Sequence, residues 1–123
     1  MIADLDVERL FKAIDRMDAD DFVTFLADDA RFRFGNAEPA IGRRAIRAAV
    51  AAFFSTIAGL QHDSVQTWQV GDVVIAEIEV TYTRKDGRLV TVPCVNILRM
   101  RDGLVRDYRI FIDLWGGSGS GPW

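Results

Sequence analysis

Residues 73–83, Val-Val-Ile-Ala-Glu-Ile-Glu-Val-Thr-Tyr-Thr, alternate without a break, and this pattern constrains the fold more than any other feature of the chain. Ala76, Ile78, Val80 and Tyr82 fall on one side; Val73, Ile75, Glu77, Glu79 and Thr81 fall on the other. A period of two with many β-branched residues predicts a strand. Neither side is uniformly polar, so both meet protein or ligand. The question this segment poses is whether Glu77 and Glu79 project into a pocket or away from it.

The surrounding punctuation supplies the rest of a sheet. Gly71–Asp72, Asp86–Gly87 and Asp102–Gly103 are evenly spaced turn signals suited to tight hairpins. They delimit four antiparallel strands over about residues 62–70, 73–83, 89–100 and 105–114. Upstream, Val7, Leu10, Phe11, Ile14 and Met17 have helical spacing and predict a helix over 7–17. Asp18 reads as the N-cap of a second short helix carrying Phe22, Val23, Phe25 and Leu26. Residues 31–34 alternate as a short strand and 35–39 form a loop. Ile46, Val50, Phe53, Phe54 and Ile57 stripe a third helix over 43–58, stopped by Gly59. Helices followed by a curled meander make an α+β fold: a curved antiparallel sheet wrapped around N-terminal helices, a cone whose open end is an apolar pocket.

Composition narrows the function classes. The 123 residues suit one domain, residues 1–115, ahead of a Gly/Ser-rich stretch at 116–123 that reads as a flexible tail. A net charge of −3 without a basic stripe argues against nucleic acid and anionic membranes as partners. No apolar run is long enough to span a bilayer, and the N-terminus has no signal-peptide pattern. The single cysteine, Cys94, excludes an internal disulfide and fits a reducing cytoplasm. With one histidine, His62, and no Cys/His spacing, neither a metal nor another cofactor is expected.

Two-residue turns would pair Trp68 with Ile75, Gln66 with Glu77 and Ser64 with Glu79 across the first hairpin. Across the second they would pair Thr81 with Val92, Glu79 with Cys94 and Glu77 with Asn96. Cross-strand partners share a face, so His62, Ser64, Gln66, Trp68, Glu77, Glu79, Cys94 and Asn96 would form one polar cluster in the pocket. The last strand leaves two choices. A two-residue turn at Asp102–Gly103 presents Arg109, Phe111 and Asp113 to the pocket. A three-residue loop with a glycine bulge presents Tyr108, Ile110 and Ile112, the more apolar stripe and the favoured one.

The segments FLADDARFRF (25–34), IGRRAI (41–46), VTYTRKDG (80–87) and YRIFIDL (108–114) resemble the SnoaL-like group of the nuclear transport factor 2-like superfamily. That superfamily holds ketosteroid isomerase, limonene-epoxide hydrolase and polyketide cyclases, so the resemblance implies a fold more firmly than an activity. Against ketosteroid isomerase, the general-base Asp position falls on Phe34, the oxyanion-hole Tyr on Leu10 and the protonated Asp on Asn96. Against limonene-epoxide hydrolase, the Asp-Arg-Asp triad falls on Glu79, Glu77 and Ile110, with the water-holding Tyr and Asn near Phe32 and Phe34. The polyketide cyclases use an Asp near the end of the last strand, for which Asp113 is nearest. The resemblance also implies a homodimer formed through the convex face of the sheet.

Together these readings predict a small cofactor-independent enzyme that binds a hydrophobic carbonyl or cyclic compound and moves a proton. A non-catalytic binding or dimerisation module is the alternative. Glu79, His62 and Asp113 are the catalytic candidates. Glu79 leads, because a partly desolvated carboxyl among apolar residues becomes a usable acid or base, and His62 lies within diagonal reach of it. Phe32, Phe34, Trp68, Glu77, Cys94, Asn96, Tyr108, Ile110 and Ile112 are the predicted ligand-binding residues, with Asn96 as a neutral donor.

Overall fold

The computed structural model describes residues 5–114; the predicted tail at 116–123 lies outside the described residues. The chain runs α1 (Val7–Asp15), α2 (Ala19–Val23), β1 (Leu26–Phe34), β2 (Ala40–Ile41), α3 (Arg43–Phe54), β3 (Gly59–Val70), β4 (Val73–Thr83), β5 (Leu89–Arg101) and β6 (Leu104–Ile112). It is the α+β fold predicted, with a curved, unclosed six-stranded sheet in the order β2-β1-β6-β5-β4-β3. One element departs from an antiparallel meander: β1 runs parallel to β6, pairing Phe32 with Tyr108 and Phe34 with Ile110. β1 also starts at Leu26, absorbing residues that the sequence reading gave to the second helix.

Each helix begins and ends for local reasons. Asp6 caps α1, its carboxylate accepting from the amides of Glu8 and Arg9 at 3.1 and 3.2 Å. Met17, at φ 56°, ends it in a left-handed residue. Its amide donates to Ile14 O at 2.7 Å and that of Asp18 to Ala13 O at 3.2 Å, a Schellman arrangement. Asp18 then caps α2, accepting from the Asp21 amide at 2.9 Å. In α3 the buried residues Ile46, Val50 and Phe54 recur every four positions and face the sheet.

The core lies between the helices and one face of the sheet. β4 contributes Val74, Ala76, Ile78, Val80 and Tyr82; β5 contributes Val92, Cys94, Asn96, Leu98 and Met100, all buried. Leu10, Phe11, Phe22 and Leu26 close over them. Burying one large apolar side chain completely is worth about 1.5–3 kcal/mol, so this stripe decides which way β4 faces. Glu77 and Glu79 therefore lie on the opposite, outer face and are exposed.

Three connections set the register. The first hairpin pairs Val70 with Val73, Trp68 with Ile75 and Gln66 with Glu77 as expected. A bulge at Val65 then shifts the pairing, so Ser64 faces Ile78, Asp63 faces Glu79 and His62 faces Val80. The second hairpin pairs Thr83 with Leu89, one residue out from a two-residue turn, with Gly87 at φ 88° and the Arg84 amide bonded to Arg88 O at 2.8 Å. Glu79 thus pairs with Pro93 and Glu77 with Val95, while Cys94 and Asn96 oppose Ile78 and Ala76. The last hairpin does have the two-residue turn, pairing Arg101 with Leu104, with Asp102 at φ 55° and Gly103 at φ 80°. A bulge at Arg106 then returns Tyr108, Ile110 and Ile112 to the inner face.

Gly42 joins β2 to α3 at φ 89°, ψ 152°, a conformation open to little but glycine. Gly42→Ala should lower stability by about 1–3 kcal/mol, read as a lower urea midpoint with an unchanged slope.

Candidate functional site

The inner face of the sheet and the three helices enclose a cavity of ≈ 200 Å³. This is below the roughly 300–1,000 Å³ of pockets for drug-sized ligands, so a compact occupant fits it. Phe32 and Phe34 enter from β1, Phe53 and Phe54 from α3, Phe22 from α2, and Tyr82, Tyr108 and Ile110 from β4 and β6. The aromatic rings fix one another. Phe32 lies 5.3 Å from Tyr108, and Phe53 lies 5.4 Å from Phe34 and 5.8 Å from Tyr82, the last pair edge-to-face.

Buried polar groups enter this apolar wall at two places, and the exposed Glu38 also lines it. His62 is brought in by the Val65 bulge, without which it would share the outer face with Gln66 and Trp68. Its side chain is 8% exposed. Phe11 and Asp15, four residues apart and so on one face of α1, together hold it. The imidazole stacks on the Phe11 ring at 4.8 Å and 11°. Asp15 Oδ1 lies 2.6 Å from His62 Nδ1, and both carboxylate oxygens also accept from the His62 amide at 3.1 Å. An ionised carboxylate only accepts, so Nδ1 carries the proton, and a neutral ring keeps Nε2 as its free acceptor on a residue that lines the cavity. Asp15 is the last residue of α1, where the helix dipole disfavours an anion. A carboxylate at that end gains no helical stability, and what it does instead is hold the histidine.

The second polar group is Asn96, 1% exposed. Its Nδ2 donates to the Tyr108 hydroxyl at 3.2 Å and its Oδ1 accepts from Cys94 Sγ at 3.5 Å. One Asn96 N–H and the Tyr108 O–H remain to donate elsewhere. Burial pushes the Tyr108 and Tyr82 hydroxyls well above the usual phenol range, with Cys94 adding to both. Burial likewise pushes the Cys94 thiol up to about 12. These groups stay neutral near pH 7, as donors rather than bases.

The structure therefore divides the predicted site residues. Phe32, Phe34, His62, Cys94, Asn96, Tyr108 and Ile110 line one cavity. Ile112 lies on the same stripe, opposite Cys94 and partly buried. Glu77, Glu79 and Trp68 do not belong with them, because the core stripe of β4 turns them outward; Trp68 is 41% exposed there. Asp113, just past β6, is exposed and does not line the cavity. The partner of His62 is Asp15, not Glu79. Asp15, Glu38 at the cavity wall, Phe53 and Tyr82 were not among the predicted residues. The signal for Asp15 was an acid at the wrong end of a helix, one turn after a core phenylalanine. Among the described residues no group of three or more His, Cys, Asp or Glu is arranged to hold a metal ion. Nor is any helix among them long and apolar enough to cross a membrane.

With its pKa raised, Cys94 should resist iodoacetamide in the native protein at pH 8 and react only on unfolding, read by mass spectrometry. Tyr108→Phe removes the acceptor of a buried amide and should cost about 1–3 kcal/mol in a denaturant melt.

Comparison with solved structures identifies the same architecture. A Catenulispora acidiphila protein with a ketosteroid isomerase-like fold, in complex with trimethylamine, superposes with a TM-score of 0.86 at 18% identity, over 98% of this chain and 95% of that one. An LEH-like epoxide hydrolase of M. tuberculosis gives 0.76 at 17% identity, over 89% and 80%. A Jannaschia sp. CCS1 protein assigned to the SnoaL-like polyketide cyclases gives 0.73 at 22% identity, over 88% and 85%. At these identities the likeness concerns the fold. No curated protein sequence matches the chain. The family model of the SnoaL-like domain matches residues 7–108, nearly the whole of the described fold, and the chain belongs to the SnoaL-like domain family.

Proposed function

We propose that this protein is a cofactor-independent enzyme of isomerase or cyclase type, taking a compact hydrophobic carbonyl or cyclic compound into the cavity and moving a proton within it. The observation that carries this reading is the His62–Asp15 pair: a nearly buried imidazole oriented by a carboxylate on a mostly apolar wall. Nε2 takes a proton from carbon beside the carbonyl and returns it to another position. Asp15 steadies the imidazolium formed in between, as an acid behind a histidine does in hydrolytic triads. The remaining N–H of Asn96 and the O–H of Tyr108 serve the carbonyl oxygen as charge develops on it, and as neutral donors they need no proton exchange with solvent. The aromatic walls exclude water and bind the ring. His62 thus replaces Glu79 as the acid/base, and Asp113 has no part in this scheme. The cytoplasm suits the protein, since a reducing compartment keeps Cys94 a thiol.

The test is wash-in of solvent deuterium at the α-carbon of small cyclic ketones and enones, followed by proton NMR, with binding measured in parallel by thermal shift. The wild type should accelerate exchange for at least one ketone that it binds. His62→Gln should slow that exchange by about 10²–10⁴-fold while the ligand still shifts the melting temperature. Asp15→Asn should slow it too, and Glu79→Gln should leave it unchanged. Binding without exchange across all ligands would assign the cavity to a non-catalytic binding module.

A further inference from the structure

The fixed charges at the cavity are of one sign. Among the described residues that line it there is no lysine or arginine, whereas Glu38 is one of them. The second carboxylate that serves it, Asp15, stands behind His62. Two arginines of α3, the helix over the cavity, are committed elsewhere: Arg43 pairs with Asp28 and Arg47 with Asp20.

The loop that carries Glu38 is tied down on both sides of it. The Ala37 amide donates to Phe34 O at 3.0 Å, and the Ala37 carbonyl accepts from Arg33 Nε at 3.1 Å. The Gly35 amide donates to Ile110 O at 2.9 Å, and Ala40 pairs with Phe32 across β1 and β2. Pro39, next to Glu38, has a fixed φ. The Glu38 carboxylate itself has no ion pair or hydrogen bond among the described residues. An exposed glutamate without a partner is ordinary on a surface, but this one stands on the wall of an apolar cavity.

β1 divides the aromatic lining into two groups. Phe32 meets Phe22 and Tyr108; Phe34, two residues on, meets Phe53, which meets Tyr82. Two residues of strand advance about 6.6 Å, room for opposite ends of a cyclohexanone-sized ring. The Asn96–Tyr108 donors belong with the first group, and the Glu38 loop follows the second. In that second group the rings are inclined at 38° and 84°, so their faces turn in different directions. A ring face attracts a cation through its quadrupole, and a cleft whose charges share one sign concentrates the opposite one.

We infer that the compound taken into the cavity carries a positively charged nitrogen. It is a compact ammonium ketone, its carbonyl at the Asn96–Tyr108 donors and its cation among Phe34, Phe53 and Tyr82, beside Glu38. This rests on the reading of the cavity as a site for a small carbonyl compound and names the charge of that compound. Glu38 is then the residue that sets specificity, and carboxylates and phosphates are rejected.

The test is isothermal titration calorimetry on the full chain at pH 7 with three ketones. The N,N-dimethyl-γ-oxopiperidinium ion and γ,γ-dimethylcyclohexanone share one shape and differ in one ring atom, N⁺ for C; γ-oxocyclohexanecarboxylate is the anion. The wild type should bind the cation about tenfold more tightly than its neutral isostere, and the carboxylate more weakly than either. Glu38→Gln should cut the cation's advantage by about threefold or more, and Glu38→Arg should reverse the order of cation and carboxylate. Glu38 is exposed on a loop, and circular dichroism verifies that both variants fold. A cation that binds no more tightly than its isostere overturns the proposal. So does a preference that both variants leave intact, or a carboxylate that binds best. Binding is read without turnover, so this inference and the proton-transfer reading fail separately. A preferred cation whose α-protons never exchange with solvent deuterium would sink the proton transfer alone. Exchange of the neutral ketone without any preference for the cation would sink the charge selection alone.

Discussion

The packing of the β4 and β5 inner stripe against the helices governs everything else in this molecule. Ala76, Ile78, Val80 and Tyr82 on one strand and Val92, Cys94, Asn96, Leu98 and Met100 on the next present a nearly continuous buried surface. Side chains alternate with a period of two, so committing these residues inward commits Glu77 and Glu79 outward. No local preference of the glutamates competes with that, because turning them in would expose at least four large apolar groups and bury two charges. The cavity is what this stripe leaves uncovered between the sheet and the helices, walled by Phe32 and Phe34 of β1 and Phe53 of α3.

Two irregularities then modify a regular scaffold. The bulge at Val65 rotates the start of β3 so that His62 joins the cavity face, and the bulge at Arg106 rotates β6 so that Tyr108 and Ile110 do. Both sit beside residues given chemical roles here, consistent with bulges as devices that re-aim side chains. The site is thus a product of broken pairing. Its histidine rests on α1 and its amide–phenol pair on the two central strands, so elements distant in sequence hold the chemistry on rigid supports.

The two faces of one sheet divide the labour. The inner face gathers aromatic rings and a few polar groups around a largely apolar cavity. The outer face carries charges, with Glu77 and Glu79 on β4, Arg33 on β1, Arg109 on β6 and the Arg99–Asp107 pair between β5 and β6. Glu77 and Glu79, which drew attention as a carboxylate pair, belong to this second surface.

Much of the fold was legible in the sequence, since it is written in local patterns: β4 was bounded at 73–83 as observed, and the Asp18 cap and the third helix's stripe of Ile46, Val50 and Phe54 reported themselves through short-range periodicity. The aromatic wall of Phe32, Phe34 and Tyr108 was legible for the same reason. What the sequence could not fix was register. A loop one residue longer at 84–88 and an extra residue at Val65 leave alternation intact while inverting which residues share a face. By that margin Cys94, Asn96 and His62 were set on one face with Glu77 and Glu79, whereas Trp68, paired as expected, was misplaced together with the glutamates by the choice of which face of β4 turns inward. The Asp15–His62 contact spans 47 positions and exists only because α1 docks on β3, so only the tertiary structure could decide it. Local periodicity chose the elements; burial of one continuous apolar stripe chose the faces, and with them the residues that meet.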